Sequence, residues 1–113
     1  MTVKFYEKPS CTSCRKARGL LEEKGVTMNR IDLNKGLSVE ELDRLIGDRD
    51  YKLFLNTRNV LYRESDMKRN PPNRAAALRL MSEHPNLIKR PVTVAGRRII
   101  LGFAPDELAA LGN

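Results

Sequence analysis

Lys8-Pro9-Ser10-Cys11-Thr12-Ser13-Cys14-Arg15-Lys16-Ala17-Arg18 is the stretch on which the reading of this chain turns, because it holds both of its cysteines. Before it, Thr2-Val3-Lys4-Phe5-Tyr6 alternates polar and apolar residues in the manner of a short half-buried strand; after it the pattern becomes helical. Two cysteines three residues apart at a helix start share one face and can close into a small disulfide. The helix N-terminus also favours a thiolate on the first of them. Cys11 is therefore expected to be the attacking thiol and Cys14 the resolving one, with Arg15, Lys16 and Arg18 adding positive charge around the pair.

Working outward, a strand is predicted over 3–6 and a helix over about 12–24, with Ala17, Leu20 and Leu21 inward and Gly25 as its left-handed cap. A second strand over 26–33 completes a βαβ unit, which implies a parallel pair with a right-handed crossover. Ser38-Val39-Glu40-Glu41 reads as a capping box, opening a helix that buries Leu42, Leu45 and Ile46 and ends at Gly47. No strand pattern is visible over 48–73, where residues 51–55 and 59–63 read as short helices or turns. Asn73 can cap a helix over 74–83 with Ala77, Leu78, Leu80 and Met81 inward, and Pro85 stops it. Val92-Thr93-Val94 and Ile99-Ile100-Leu101, joined by Ala95-Gly96-Arg97-Arg98, form a hairpin, and a last helix begins near Pro105.

The order βαβ, helices, ββα is that of an α/β thioredoxin-like fold. It predicts a four-stranded mixed sheet with one parallel and one antiparallel pair, and a single domain over 1–113 with a helical insertion at about 38–88. In that fold a cis-proline begins the third strand and lies against the redox cysteines; Pro91 holds this place. Arg90, directly before it, and Arg58 are the candidates to bind an anion, since a guanidinium can grip an oxyanion through two hydrogen bonds. A surface ion pair is the plainer role for Arg58. His84, at a helix end, is expected to cap or pack rather than act as a base, and the four methionines to fill the cores.

Composition narrows the classes. At 113 residues the chain is long enough to bury roughly two thirds of its unfolded surface without staples. A hydrophobic content of 41% against 31% charged argues against disorder. Neither a signal peptide nor a membrane-length apolar run is visible, so the cytoplasm is the expected compartment. There a catalytic or sensing disulfide is more to be expected than a structural one. A zinc site would need four ligands, and with His84 the only histidine and no third cysteine, no metal is expected. The net charge of +7 is uneven: residues 1–56 carry +2 and residues 57–113 carry +5. That suits an anionic substrate, an acidic protein patch or simple solubility. No recognition-helix motif accompanies it, so direct DNA binding is not expected. A monomer is the default expectation.

With these residues placed, the sequence resembles the arsenate reductase and Spx family of thioredoxin-like proteins. The matching pieces are Pro9-Ser10-Cys11-Thr12-Ser13-Cys14-Arg15-Lys16-Ala17, Asn56-Thr57-Arg58, Glu83-His84-Pro85, Arg90-Pro91, and Gly102-Phe103 with Glu107. The resemblance implies that Cys11 is the family's reactive cysteine, that Arg58 and Arg90 are two of the three arginines that bind the arsenic oxyanion, and that Ser10, Thr12, Ser13, Arg15 and Pro91 line the substrate. The third arginine falls on Leu101-Gly102-Phe103, which has none. No bound cofactor is implied; glutathione or a glutaredoxin or thioredoxin would be the reductant. The Cys-x-x-Cys is similar to the Spx branch, in which the pair is a disulfide switch and the partner is the C-terminal domain of the RNA polymerase α-subunit. That branch has a glycine at the polymerase contact, where this chain has Asp50, with Gly47 nearest. The resemblance thus implies a thiol reductase, or alternatively a redox-switched regulator.

Overall fold

The computed structural model describes residues 2–112. By its internal contacts the chain forms two compact units: one takes the residues up to Asp32 together with those from Arg90 onward, the other is Leu33–Lys89. The expected insertion at about 38–88 falls within the second.

The first unit holds the whole sheet. Strand β1 (Thr2–Glu7) is followed by helix α1 (Thr12–Glu23) and strand β2 (Thr27–Asp32); β3 (Val92–Ala95), β4 (Arg98–Leu101) and helix α5 (Pro105–Ala109) come from the far end of the chain. The strand order is β2-β1-β3-β4. β1 and β2 run parallel from Thr2 opposite Thr27 to Glu7 opposite Asp32, a pairing that requires a crossover, here α1. β3 is antiparallel both to β1, with Phe5 opposite Thr93, and to β4, with Thr93 opposite Ile100. The mixed sheet is thioredoxin-like, as expected, with one refinement: the junction of its two halves is itself an antiparallel ladder. A four-residue strand such as β3 announces its hairpin partner through the turn, but not its neighbour across the sheet.

Sequence dictates these elements locally. The helix formers Arg, Lys, Ala, Leu and Glu fill α1, and the helix ends in a Schellman turn. Gly25, at φ +73°, donates to Glu22 O at 3.0 Å, and Val26 donates to Leu21 O at 2.9 Å. The β3–β4 hairpin turns on Gly96-Arg97, where Gly96 at φ +63° supplies the twist a two-residue loop needs. Val3 and Phe5 of β1, Ala17 and Leu21 of α1, Ile100 of β4 and Leu108 of α5 form the core. Each large apolar side chain so buried contributes roughly 1.5–3 kcal/mol. The third inward position of β1 is Glu7, only 1% exposed, so a carboxylate ends a row that Val3 and Phe5 began.

The second unit is helical. Ser38 caps α2 (Val39–Ile46) through a complete capping box with Glu41, each bond 3.1 Å. A 3₁₀ turn (Tyr51–Phe54), α3 (Val60–Glu64) and α4 (Arg74–Glu83) follow, with Asn73 capping α4 by accepting from Ala76 N at 2.9 Å. α2 packs on α4, burying Leu42, Ile46, Ala77, Leu78 and Met81, while Leu45 and Leu80 are only half-buried. Two further 3₁₀ turns are Leu33–Lys35, which takes Leu33 from the end of the strand expected over 26–33, and Pro85–Leu87, where the sequence offered only a connecting segment.

The strandless reading of 48–73 needs one correction. Leu55 bridges Ile88 in antiparallel fashion, supported by Asn56 N to Leu87 O and Lys89 N to Phe54 O, both 2.7 Å. A single bridge is too short to leave a periodic pattern. Met67 and Met81 are buried and Met28 packs against the first unit's core; Met1 lies outside the described residues. Among the described residues, no helix is long and apolar enough to cross a membrane.

Candidate functional site

β1 delivers its chain end into a tight turn in which Cys11 N donates to Lys8 O at 2.9 Å. Cys11 then occupies the N-cap of α1 with extended backbone (φ −73°, ψ 131°), and its own carbonyl accepts from Arg15 N at 3.0 Å. The position usually belongs to Ser, Thr, Asp or Asn. Both cysteines are free thiols: Cys11 is part-exposed, whereas Cys14, on the inward face of the first turn, is fully buried.

Their acidities part widely. Burial pushes the Cys11 thiol up, but hydrogen bonds to its sulfur outweigh this: first from the Cys14 backbone N–H, then from the Arg90 guanidinium, the Cys14 thiol and the Ser13 N–H. The net result is a pKa lowered to about 7. Cys14 is raised to about 12, mainly by burial, and further by the charges of Cys11 and Glu7, against a lowering backbone contact at Lys8. A thiolate at position 11 therefore meets neutral pH, and its neighbour remains a thiol.

Arg90 stands at the start of the returning segment, and the Arg90–Pro91 peptide bond is cis. Pro91 is buried, and its carbonyl accepts from Gly102 N at 2.8 Å. Arg90 thus meets Cys11, as the sequence order suggested. The cations of α1 do not. Arg15 and Lys16 are exposed, and Arg18 turns to Glu7. The direct hydrogen bonds to the thiolate come from helix N–H groups, Arg90 and the Cys14 thiol, not from the expected Arg15, Lys16 and Arg18. The Arg15 and Lys16 side chains extend into solvent, where water hydrates the charge.

Of the other expected substrate-lining residues, Ser10 and Thr12 are exposed and Ser13 is half-buried around the helix start. Arg58 belongs to the second unit, exposed in a turn where Asn56 Oδ1 accepts its backbone N–H at 3.1 Å. His84, expected to cap or pack, is the C-cap residue of α4, its backbone N–H donating to Leu80 O at 2.8 Å; its side chain is exposed and makes no cap hydrogen bond to the turn that follows. Among the described residues, no group of three or more His, Cys, Asp or Glu could hold a metal ion.

The residue that sequence reasoning missed is Glu7. Its Oε1 accepts from Arg18 Nη1 of α1 at 2.5 Å, and its Oε2 from Arg30 Nε of β2. Extending the predicted strand by one residue carries the β1 alternation to Glu7 and places it inward.

Because Arg90 is expected to supply one of the bonds that hold the Cys11 thiolate, Arg90→Leu should raise the Cys11 pKa. A rise of one unit leaves about a tenth of the thiol ionised at pH 7 instead of about half, so alkylation there should slow about fivefold. Rates compared at pH 7 and pH 9.5 check this, since the deficit should vanish where both forms are ionised.

Fold and cysteine environment together define a thioredoxin-like protein of the thiol-redox class. A family model described as the ArsC family matches residues 6–111. The chain belongs to the ArsC family. It is 37% identical over 112 residues to the Bacillus subtilis protein YusI, covering 95% of each chain. It is also 30% identical to the global transcriptional regulator Spx of Bacillus subtilis, covering 94% of this chain and 83% of that protein. Among solved structures, the arsenate reductase from Vibrio cholerae superposes with a TM-score of 0.83 at 31% identity, covering 97% of both chains.

Proposed function

We propose that this chain is an arsenate-reductase-like thiol reductase in which Cys11 is the nucleophile and Cys14 the resolving thiol. The observation that carries the proposal is the acidity split, with Cys11 at about 7 and Cys14 at about 12. A nucleophile must be ionised to attack, and a resolving thiol should stay protonated until its turn comes. Arg90, at the Cys11 sulfur, holds an oxyanion or a glutathione-type carboxylate beside it. Arg58 enters as a second anion ligand on sequence position alone.

In the first step the Cys11 thiolate attacks either the arsenic of arsenate, with an oxygen leaving as water, or one sulfur of a small disulfide, with the other sulfur leaving as thiolate. In the second step Cys14, or glutathione, attacks the Cys11 sulfur. Two thiols then become one disulfide, and the two electrons pass to arsenic(V), giving arsenic(III), or to the departing thiol. Glutathione with a glutaredoxin, or a thioredoxin, restores the dithiol.

The alternative, a redox-switched regulator that docks on the RNA polymerase α-subunit, draws on the 30% identity to Spx. Asp50 tells against it: it stands at the family's contact glycine and caps the following turn by accepting from Lys52 N at 3.0 Å. The Leu101-Gly102-Phe103 segment in turn supplies no third arginine for arsenate, which widens the proposed substrates to small disulfides.

The test is a coupled assay with glutathione, glutaredoxin and either arsenate or a small glutathione disulfide. Turnover is expected with at least one of them. It should be lost in Cys11→Ser and largely retained in Cys14→Ser, because free glutathione can resolve the Cys11 adduct. No turnover with either substrate overturns the enzyme reading, and oxidation-dependent capture of the polymerase α-subunit would establish the regulator instead.

A further inference from the structure

Glu7 carries a charge where the fold has least use for one. Its side chain is 2% exposed, at the inward end of a strand whose two preceding inward residues are Val3 and Phe5. Both carboxylate oxygens are engaged, one by Arg18 and the other by Arg30, with the two arginines 18% and 48% exposed. Arg18 follows the fully buried Cys14 by four residues, one turn along the same face of α1. The strand that holds Glu7 reaches Cys11 four residues on. A buried carboxylate and two partly exposed guanidinium groups, net +1, thus lie on the strands and helix around the cysteine pair, with the Glu7 charge felt at Cys14. Where Glu7 itself is shielded from water, a change in the charge around it acts on the ionisation of neighbouring groups.

We propose that Glu7, Arg18 and Arg30 form a positioning cluster whose net charge sets the dithiol–disulfide equilibrium of Cys11 and Cys14. This rests on the dithiol reading proposed above. The reaction is an exchange with a small disulfide RSSR, such as glutathione disulfide. The Cys11 thiolate attacks RSSR, a Cys11–S–SR bond forms and RS⁻ leaves. Cys14 then loses its proton and attacks the Cys11 sulfur, so that the Cys11–Cys14 bond forms and a second RS⁻ leaves. The two cysteine sulfurs are together oxidised by two electrons and RSSR is reduced to RSH and RS⁻: the Cys14 proton passes to one leaving thiolate, and the other takes a proton from water according to its own acidity. The reduced pair at neutral pH carries the Cys11 thiolate; the oxidised pair carries no charge. A net positive cluster therefore favours the reduced form, and each unit of charge added or removed moves the equilibrium in a fixed direction.

Glu7→Gln raises the cluster from +1 to +2, whereas Arg30→Gln lowers it to zero. Equilibrating each reduced protein with defined glutathione and glutathione disulfide, then trapping with acid and measuring intact mass, gives the equilibrium constant directly. Glu7→Gln is expected to make the disulfide at least about tenfold easier to reduce, about 30 mV in potential. Arg30→Gln should make it about threefold harder. A structural role would move both variants the same way. Where Glu7→Gln does not fold, Arg30→Gln and Arg30→Glu carry the test as two successive charge steps, each expected to make reduction harder. Shifts in one direction for the two opposite charge changes, or constants within about twofold of the parent throughout, overturn the proposal. If the parent protein forms no internal disulfide, the dithiol reading falls and takes this proposal with it; if it does form one, a failed charge series removes the cluster's role and leaves the dithiol reading standing.

Discussion

At pH 7, iodoacetamide is expected to modify Cys11 at least a hundredfold faster than Cys14 in the reduced protein, with a rate midpoint for Cys11 near pH 7. A thiol at about 7 is half ionised there, while one at about 12 is ionised to roughly one part in 10⁵. The weaker acid gives the stronger nucleophile, and with a Brønsted slope of about 0.4–0.5 this returns roughly two to two and a half of those five decades. Two and a half to three decades remain, before the full burial of Cys14 adds its own obstruction. Peptide mapping by mass spectrometry over pH 5–10 separates the two sites. Cys14→Ser should leave Cys11 reactive. Equal rates at the two cysteines, or a Cys11 midpoint near 9, would remove the basis for assigning their roles.

The same split should give the reduced protein a two-sided pH dependence of stability. Cys11 has a folded pKa below its ordinary value of 9.0, so its contribution is present above pH 9 and is lost as pH falls through 7. Cys14 has a folded pKa above the same value. Its contribution is complete below pH 9 and is lost as pH rises toward 12, because the unfolded chain ionises first. Stability should therefore climb from pH 7 to 9, by about 1–2 kcal/mol once solvent screening at the part-exposed Cys11 is allowed for. Above pH 9 it should fall by on the order of a few kcal/mol. Urea unfolding in a phosphine reductant, compared with Cys11→Ser and Cys14→Ser, isolates the two limbs: the first variant should flatten the rise, the second the fall. A fall above pH 9 that survives in Cys14→Ser would belong to other groups.

Much of this fold was legible because its signals are short-range. Ser38 with Glu41, Asn73, Gly25 and the Gly96 turn each act within four residues, and they set element ends to within about a residue. Cys11 and Cys14 were equally plain, since a helix start and a spacing of three are local facts, and Arg90-Pro91 could be placed by strand order. What escaped depends on partners distant in sequence. Arg18 looked like a cation for the thiolate because its acidic partner lies eleven residues back, in a strand whose predicted end stopped one residue short of Glu7. Arg30 is 23 residues from the same carboxylate. The pairing of β3 with β1, and the bridge between Leu55 and Ile88, likewise join segments that no window of sequence contains. A charge at the end of a strand pattern ordinarily marks the way out to solvent, whereas here two guanidinium groups make an inward glutamate tolerable.

The N-cap of α1 has a further consequence. Cys11 makes no conventional side-chain cap hydrogen bond, yet the N–H groups of Ser13 and Cys14 face its sulfur and favour the thiolate, so the bonds they form strengthen when the sulfur is ionised. A conventional cap is worth about 1 kcal/mol and is permanent. Here the stopper of the helix is the reacting electron pair itself, strongest while the nucleophile is armed and weakened whenever it is protonated or bonded. The first turn of α1 thus keeps a running record of the sulfur's state, written in the amide protons of residues 13 and 14.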